Sequence, residues 1–192
     1  MPLSLDLVPA LIVIDLQMGV VSLPTAHPIK TIVQRAAALA AAFRSRGLPV
    51  VLVNVVGVPP GRTEQSRFKG DLPKDATILV AGLDQQPSDH LVSKRSAGAF
   101  TRTDLEAYLR KKRVTQVVVV GVATGTGVEA TARQAHELGF NVAFAIDAIT
   151  DTDAELHATL VAAVFPRLGE RGETVEILDL LRSRGESTSI ER

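Results

Sequence analysis

A run of four valines constrains the fold of this chain more than any other stretch. Residues 117–120 are all valine, a turn rich in glycine and threonine follows, and a helical pattern begins near Val128. An unbroken run of β-branched residues bounded by turn residues is typical of a strand that is buried on both faces. The stretch therefore predicts a central strand, a tight turn and the start of a helix, as in an α/β protein.

The turn after the valines carries its own helix-start signal. Thr126 is a favourable N-cap residue, and Glu129 follows at the spacing of a capping box. This pattern places Gly127 in the first turn of the helix, where free N–H groups and the helix dipole favour a carboxylate or a developing oxyanion. An ordinary strand-to-helix turn without a ligand has the same pattern, so both interpretations stay open here.

Strands and helices alternate along the rest of the chain. Apolar runs predict strands over residues 10–14, 49–56, 89–92, 141–146 and 175–178. Helical stripes and capping boxes predict helices at 29–46, after Thr103, after Thr152 and over 179–182. Residues 57–73 read as a long surface loop, and the polar tail 184–192 as frayed. The pattern predicts one three-layer α/β domain over residues 1–192, with a mainly parallel sheet and its core at about 8–181.

Composition excludes several classes of function. The chain has 192 residues, with 21 basic and 21 acidic side chains, so no net charge favours nucleic acid or an anionic membrane as a partner. It contains no cysteine, which removes disulfides, thiolate nucleophiles and thiolate metal ligands. The apolar run 8–14 is too short to span a membrane and has no basic region before it. We expect a cytoplasmic protein whose partners are a small molecule and further copies of itself.

Two charged residues follow predicted strands. Asp15 ends the first strand, where α/β folds often deliver a polar group to the edge of the sheet, although a capping role is the alternative. Lys94 follows the strand over residues 89–92, and from the residues alone a solvated surface lysine is the simpler interpretation.

Three ordered motifs together resemble the isochorismatase-like hydrolase family, also called the cysteine hydrolase superfamily, over roughly residues 8–181. This family includes nicotinamidases, N-carbamoylsarcosine amidases and isochorismatases. The first motif is the strand with its acid, Ile-Val-Ile-Asp-Leu-Gln at 12–17. The second is Lys94 with Ala-Phe at 99–100 and Thr-Asp-Leu at 103–105. The third is Gly-Val-Ala-Thr at 121–124, followed by Val-Glu-Ala-Thr-Ala-Arg at 128–133.

The resemblance implies roles for particular residues. Hydrolytic members use an Asp, a Lys and a Cys, which places Asp15, Lys94 and Gly127 at the catalytic positions, with glycine where the thiol would be. The peptide bond before Ala123 is expected to be cis and to help build an oxyanion hole. The binding residues implied are Gln17, Phe100, Arg102, Val122, Ala123, Thr124 and Thr126. The Thr126 hydroxyl is a weak substitute for the thiol, because no histidine base lies near it in the sequence.

Isochorismatases also carry glycine at the thiol position, and they hydrolyse a vinyl ether with the Asp as general acid. Burial at the end of an apolar strand would raise the pKa of Asp15 as this role requires, whereas Lys94 would oppose that rise unless it mainly binds a substrate carboxylate. Arg102 is a candidate partner for a second carboxylate, or else an exposed residue at a helix start.

The chain departs from these enzymes in its turn, which lacks the aromatic residue and the histidine of isochorismatases. Residues 54–67 lack the Asp-x-His and later His of nicotinamidase metal sites, so we expect no metal and no cofactor. The four histidines, at positions 27, 90, 136 and 157, are predicted to be surface residues rather than ligands.

Two hypotheses follow. The first is non-covalent hydrolysis of a small anionic substrate, with a vinyl ether as one candidate, Asp15 as acid or base and Lys94 as its partner. The alternative is an inactive family member that serves as a small-molecule-binding or structural oligomer. The resemblance also implies a dimer or tetramer, for which the helix at 29–46 and the loop at 57–73 are candidate contact surfaces.

Overall fold

The computed structural model describes residues 3–64 and 70–187 and contains one six-stranded sheet. Its strands are β1 (Pro9–Ile14), β2 (Val50–Val55), β3 (His90–Lys94), β4 (Gln116–Val122), β5 (Asn141–Thr150) and β6 (Glu170–Gly172). Every pairing in the sheet is parallel. The helices are α1 (Met18–Val21), α2 (Ile29–Ser45), α3 (Leu105–Lys111), α4 (Glu129–Glu137), α5 (Ala154–Thr159) and α6 (Thr174–Ser187). The predicted α/β fold with its parallel sheet is confirmed.

Two hydrophobic layers hold the helices against the sheet. On one face, α2 and α6 pack through residues such as Leu39, Phe43 and Ile177. On the other face, α3 and α4 pack against the sheet, and Phe144 and Phe165 stack with their ring centroids 3.9 Å apart. Burial of these apolar side chains on both faces is the main stabilising contribution to such a fold.

The strand order, β3-β2-β1-β4-β5-β6, places the two most buried strands at the centre. The order reverses between β1 and β4, and in an open parallel sheet ligands bind beyond the carboxyl ends of the strands at such a point. The acid that follows β1 and the glycine turn that follows β4 therefore meet at the edge of the sheet where a site is expected.

A glycine allows these two strands to approach closely. Gly121 in β4 has φ 116°, and a Cβ there would lie 2.1 Å from the carbonyl oxygen of Ile14. Only glycine tolerates both the backbone conformation and this contact. A register shift in the pairing of β4 with β5 occurs at the same place, and such irregularities often lie beside functional sites.

The C-terminal part of the prediction is wrong. Residues 175–178 form the start of α6 rather than a strand, and the sheet ends with β6. Ile177 and Leu181 lie four residues apart and are both buried against the sheet, whereas Val175 is exposed. The Glu176 carboxylate also accepts the N–H of Glu173 at the start of this helix. A short apolar run fits both the two-residue period of a strand and the 3.6-residue period of a helix, and here the buried positions follow the helical period.

The three predicted capping boxes are also wrong. The N-cap positions of α3, α4 and α5 are Asp104, Val128 and Asp153, and among them only Asp153 caps through its side chain, by accepting the N–H groups of Glu155 and Leu156. The Thr103 hydroxyl donates to the carbonyl of Ala99 at 2.6 Å and accepts the N–H of Leu105 only at 3.4 Å, and the return bond from Glu106 that a capping box requires does not form among the described residues. A threonine with a nearby carbonyl has this alternative to capping.

The loop over residues 57–73 begins and ends in a short antiparallel ladder, with Gly57 opposite Asp71. Its residues 65–69 lie outside the described part of the chain. The backbone of α6 continues to Ser187, so the predicted frayed tail starts too early, and residues 188–192 also lie outside the described part. Within residues 3–64 and 70–187, no helix has the length and apolarity that a membrane crossing requires.

Candidate functional site

Asp15 lies directly after β1, at the carboxyl edge of the sheet. Its backbone adopts φ 51°, a left-handed conformation that aspartate tolerates better than most residues, and only 6 % of the residue is exposed. The left-handed turn ends the strand, and the close approach of β1 to β4 places Asp15 beside the glycine turn.

Lys94 reaches Asp15 from two strands away. It is the last residue of β3, and its side chain passes the end of β2 to bring Nζ within 2.7 Å of Oδ2 of Asp15. Nζ also donates to the carbonyl oxygens of Ala97 (2.8 Å) and Ser96 (3.2 Å). An ammonium group has three protons, so this buried lysine has no proton left for a substrate. The surface-lysine interpretation is wrong.

The second oxygen of the Asp15 carboxyl group has no partner. Oδ1 is buried and accepts no hydrogen bond from any residue in the described part of the chain. Burial raises the pKa of Asp15 from 3.8 to about 6, although the charge of Lys94 and its hydrogen bond both act to lower it. Desolvation therefore outweighs the ion pair, and a carboxyl group that titrates near neutral pH is suited to proton transfer.

Gly127 faces this pair. A Cβ at position 127 would lie 2.7 Å from Cγ2 of Ile14, 3.0 Å from Oδ2 of Asp15 and 3.4 Å from Nζ of Lys94. The structure thus brings together the three positions that the sequence singles out. The same distances leave no room for a side chain at position 127 unless its neighbours move.

The turn between β4 and α4 is a π-helical segment, Thr124–Val128, preceded by a cis peptide bond between Val122 and Ala123. The expected cis bond is confirmed. The expected anion site at the helix start is largely occupied by the protein itself. The N–H of Gly125 donates to Oδ2 of Asp151 at 2.7 Å, and the N–H groups of Thr126 and Val128 donate to the carbonyl of Ala123.

Asp151 is a residue that the sequence analysis missed. It follows β5 directly, is 5 % exposed, and its other carboxyl oxygen accepts the N–H groups of Thr152 and Asp153. The only available signal was an acid after an apolar strand, the same signal that pointed to Asp15. A carboxylate from the protein therefore holds the turn in place.

Thr131 links the turn to the lysine loop. Its hydroxyl donates to the carbonyl of Gly127 at 2.6 Å and accepts the N–H of Ala99 at 3.1 Å. Gln134, one turn later on α4, accepts the N–H of Phe100 and donates to Thr101. These bonds fix the loop whose carbonyl groups hold Lys94, so α4 positions both sides of the site.

The predicted binding residues differ in where they lie. The amide of Gln17 is fully used inside the protein, since it bonds both the N–H and the carbonyl of Val55 and also the carbonyl of Ala76. Phe100 packs against the core beside Phe140. Arg102 is exposed, has φ 57°, and makes no hydrogen bond or ion pair with another described residue.

The residues of the turn also divide into buried and exposed positions. Val122 and Thr124 are buried, Ala123 is half-buried and Thr126 is exposed. The Thr124 hydroxyl lies 2.7 Å from Nδ1 of His157, a threonine–histidine pair that the sequence did not predict. Because Thr124 is fully buried, this hydroxyl cannot reach a substrate as a nucleophile.

His27 and His136 are exposed as predicted, whereas His157 is half-buried and packs against His27. His27 and His157 stack edge to face with centroids 4.7 Å apart, and Nδ1 of His27 lies 3.0 Å from the Thr150 hydroxyl. They are 130 positions apart in the sequence, so no local signal could have paired them. In the described part of the chain, no group of three or more His, Asp or Glu side chains is arranged to hold a metal ion.

Gly127→Ala is expected to lower the free energy of unfolding by about 1–3 kcal/mol, because the added methyl group must displace Ile14 or the Asp15–Lys94 pair. Alanine in a helical turn would otherwise be favourable by up to about 1 kcal/mol, so a loss identifies the clash. Gly61→Ala is the matched control, since nothing lies within 4 Å of its Cβ position, and it should change stability by less than about 0.5 kcal/mol. Denaturant titration measures both, and equal stability of Gly127→Ala and the wild type would contradict the close packing.

Comparison with known proteins agrees with this geometry. A family model described as the isochorismatase domain matches residues 9–175. The isochorismatase family protein YecD of Escherichia coli O157:H7 is 41 % identical over 182 residues, which cover 90 % of this chain and 95 % of YecD. Streptothricin hydrolase of Streptomyces noursei is 33 % identical over 178 residues, covering 89 % of this chain and 62 % of that enzyme.

Solved structures give the same result. An isochorismatase family protein from Burkholderia thailandensis superimposes with a TM-score of 0.90 at 33 % identity, over 93 % of this chain and 98 % of that one. The similarity of fold therefore extends over nearly the whole chain.

Proposed function

Because the chain belongs to the isochorismatase family of hydrolases, we propose that it hydrolyses a small anionic enol ether without a covalent intermediate, with Asp15 as general acid. The observation that carries this proposal is the state of Asp15. Its Oδ1 is buried without a partner in the described residues, and its pKa is raised to about 6. A carboxyl group with a pKa near 6 is still partly protonated near neutral pH, and its protonated form can protonate a carbon–carbon double bond.

The reaction needs an acid and a water molecule. Asp15 donates its proton to the terminal carbon of the enol ether, the electron pair of the double bond forms the new C–H bond, and an oxocarbenium ion results. Water adds to this ion and returns a proton to the Asp15 carboxylate. The resulting hemiketal collapses to a ketone and an alcohol, so one water is consumed and Asp15 is restored. No step requires the thiol that this chain lacks.

Lys94 acts on Asp15 rather than on the substrate. All three of its protons are engaged within the protein, one of them by Oδ2 of Asp15, so it holds the carboxyl group in place and leaves Oδ1 without a partner among the described residues. After proton transfer the ammonium group stabilises the carboxylate that has formed. This division of roles leaves a substrate carboxylate to be bound by another residue.

Arg102 is the residue that we assign to that carboxylate. It lies on the loop that follows Lys94, it is exposed, and its guanidinium group makes no ion pair with a described residue. A guanidinium group binds carboxylates with two parallel hydrogen bonds.

Hydrolysis of 2-alkoxyacrylates, which carry an enol ether next to a carboxylate, tests this function. We expect pyruvate release, with one deuterium in the methyl group when the reaction is run in D₂O. The rate should fall as pH rises above about 6, approaching tenfold per pH unit, because only the protonated Asp15 can act as the acid. The saturated 2-alkoxypropionates are matched controls that should not react. A rate that increases through pH 6, or amide hydrolysis in place of ether hydrolysis, would contradict the proposal.

The burial of the site favours a second candidate, a small-molecule-binding or structural oligomer that has lost turnover. Asp15 is 6 % exposed, Lys94 is 2 % exposed, and both lie close to the Cβ position of Gly127. This candidate predicts that the wild type and Asp15→Asn are equally inactive towards every enol ether tested. The hydrolase predicts turnover that Asp15→Asn removes.

A further inference from the structure

A cavity of about 260 Å³ lies beside the candidate active site, between the start of α2, the end of β5 and α5. Its walls are mainly apolar, and Ile32, Ile146, Ile149 and Val161 contribute to them. Pockets for drug-sized ligands are usually about 300–1,000 Å³, so this one suits a more compact molecule. Neither Asp15 nor Lys94 lines it, and the proposed hydrolysis does not use it.

Several side chains that line this cavity have a polar atom without a partner among the described residues. His27 and His157 line it and use only Nδ1 within the described structure, so Nε2 of each ring is without a partner there. The hydroxyl of Thr31 likewise makes no hydrogen bond to a described residue. Arg35 contacts Asp147 through Nε and Nη1, which leaves Nη2 without a described partner. Four side chains of the lining thus have a ring nitrogen, a hydroxyl or a guanidinium nitrogen available.

The side chains that line the cavity offer few free carboxylate acceptors. The carboxylate of Asp147 is already used, because Oδ1 accepts two hydrogen bonds from Thr174 and Oδ2 pairs with Arg35. Glu173 is the other acid of the lining, and it is exposed at the rim. A cation would therefore find one exposed carboxylate, whereas an anion would find an arginine, a hydroxyl and two imidazoles.

We propose that this cavity is a second small-molecule site, which binds a monocarboxylate with a compact apolar body. The apolar walls hold the body, and the imidazoles of His27 and His157 with the guanidinium of Arg35 hold the carboxylate. The site is joined to the candidate active site by the hydrogen bond between His157 and Thr124, three residues before Gly127. Two π-helical turns, a feature often found at functional sites, are connected with this cavity. Leu160–Val164 contains Val161 of the lining, and Thr124–Val128 contains Thr124, the hydrogen-bond partner of His157.

Benzoate is a suitable probe, with benzamide as the uncharged molecule of the same shape. Calorimetry on the full-length protein should show one site per chain for benzoate, with a Kd of about 1 mM or lower, and at least tenfold weaker binding of benzamide. Equal binding of the two molecules would overturn the proposal, because the charge would then have no role.

The affinity for benzoate should also depend on pH. Benzoate stays charged from pH 8 to pH 6, and burial together with neighbouring His27 lowers the pKa of His157 in the empty site. Binding an anion favours the protonated ring, so affinity should rise as pH falls, by up to about tenfold per pH unit for one proton taken up. Besides His157, the charged and titratable groups around the site are His27, Arg35, Asp147, Asp151 and Glu173. A pH-independent affinity would contradict the assignment of the carboxylate to the imidazoles.

Two variants locate the site. Val161 lines the cavity from the turn after α5, and Val161→Phe should fill the cavity and weaken benzoate binding at least tenfold. His157→Gln should remove most of the pH dependence of benzoate binding. Asp15→Asn alters the other site and should leave benzoate binding within twofold of the wild type. If Asp15→Asn abolishes binding and Val161→Phe does not, benzoate binds at Asp15 and the cavity is not a site. This result would leave the proposed hydrolysis untouched, so the two proposals fail separately.

Discussion

Asp15→Asn is expected to lower kcat/KM for enol ether hydrolysis by about 10³-fold, with most of the loss in kcat. General acids contribute about 10²–10⁴-fold, and an amide at this position cannot supply the proton. Asparagine has nearly the same shape and also tolerates the left-handed φ of 51°. The variant should therefore fold, and circular dichroism and thermal unfolding would verify this before the rates are compared.

Asp84→Asn is the matched control for this experiment. Asp84 also has a left-handed backbone, with φ 48°, but it is exposed. The same change of side chain in the same backbone region should leave kcat/KM within twofold of the wild type. An Asp15→Asn enzyme that keeps more than a tenth of the wild-type activity would show that Asp15 is not the acid.

Lys94→Met is expected to lower the free energy of unfolding at pH 8 by about 3–5 kcal/mol. Methionine fills a similar volume but leaves the Asp15 carboxylate buried without its counter-ion, which is the costly way to break a buried pair. Without the charge and the hydrogen bond of Lys94, the pKa of Asp15 should rise above its value of about 6.

The sign of the pH dependence follows from this change. The folded wild type holds the Asp15 proton up to about pH 6, whereas the unfolded chain releases it near pH 3.8. The contribution of Asp15 to the free energy of unfolding therefore decreases as the pH rises from 3.8 to about 6. In Lys94→Met the free energy of unfolding continues to decrease at higher pH, because the pKa of Asp15 in the folded state is higher than in the wild type. The stability difference between the two proteins should thus be largest above pH 7 and small at pH 5.

A double variant separates the pair from the individual side chains. In Asp15→Asn with Lys94→Met neither charge is buried, so the loss should be smaller than the sum of the two single losses, by about 1–3 kcal/mol. Urea titrations of the four proteins at pH 5 and pH 8 measure this. Additive losses, or a Lys94→Met loss that is the same at both pH values, would mean that the pair is not coupled as the 2.7 Å contact implies.

The site residues that can be predicted from the sequence are those at the ends of strands. Residues 10–14 and 117–120 are so apolar that their burial in a parallel sheet follows from pattern alone, and the carboxyl ends of parallel strands share one edge. Asp15 was therefore predictable as a site residue from its position. Lys94 was not, because a lysine after a strand is usually solvated, and only the resemblance to a family selected it.

The remaining parts depend on long-range contacts. Thr126 is not a helix cap because the π-helical segment already begins at Thr124, and Asp151, 25 positions after Thr126, accepts the N–H of Gly125 inside that segment. His27 and His157 meet only because the loop before α2 and helix α5 both pack near the end of β5. The strand predicted at residues 175–178 is wrong for another reason, since a run of four residues with three apolar side chains and one acid fits a strand and a helix equally well.

Titration of the Asp15 carboxyl carbon by ¹³C NMR tests the central claim most directly. Aspartate labelled at Cγ gives one resonance per residue, and the spectrum of Asp15→Asn assigns the one that belongs to Asp15. We predict a midpoint near pH 6, as expected for a buried carboxyl group that desolvation holds protonated against the pull of Lys94. A midpoint below pH 4 would mean that Lys94 outweighs desolvation and that Asp15 is almost entirely ionised even at pH 6, and it could not then act as the general acid.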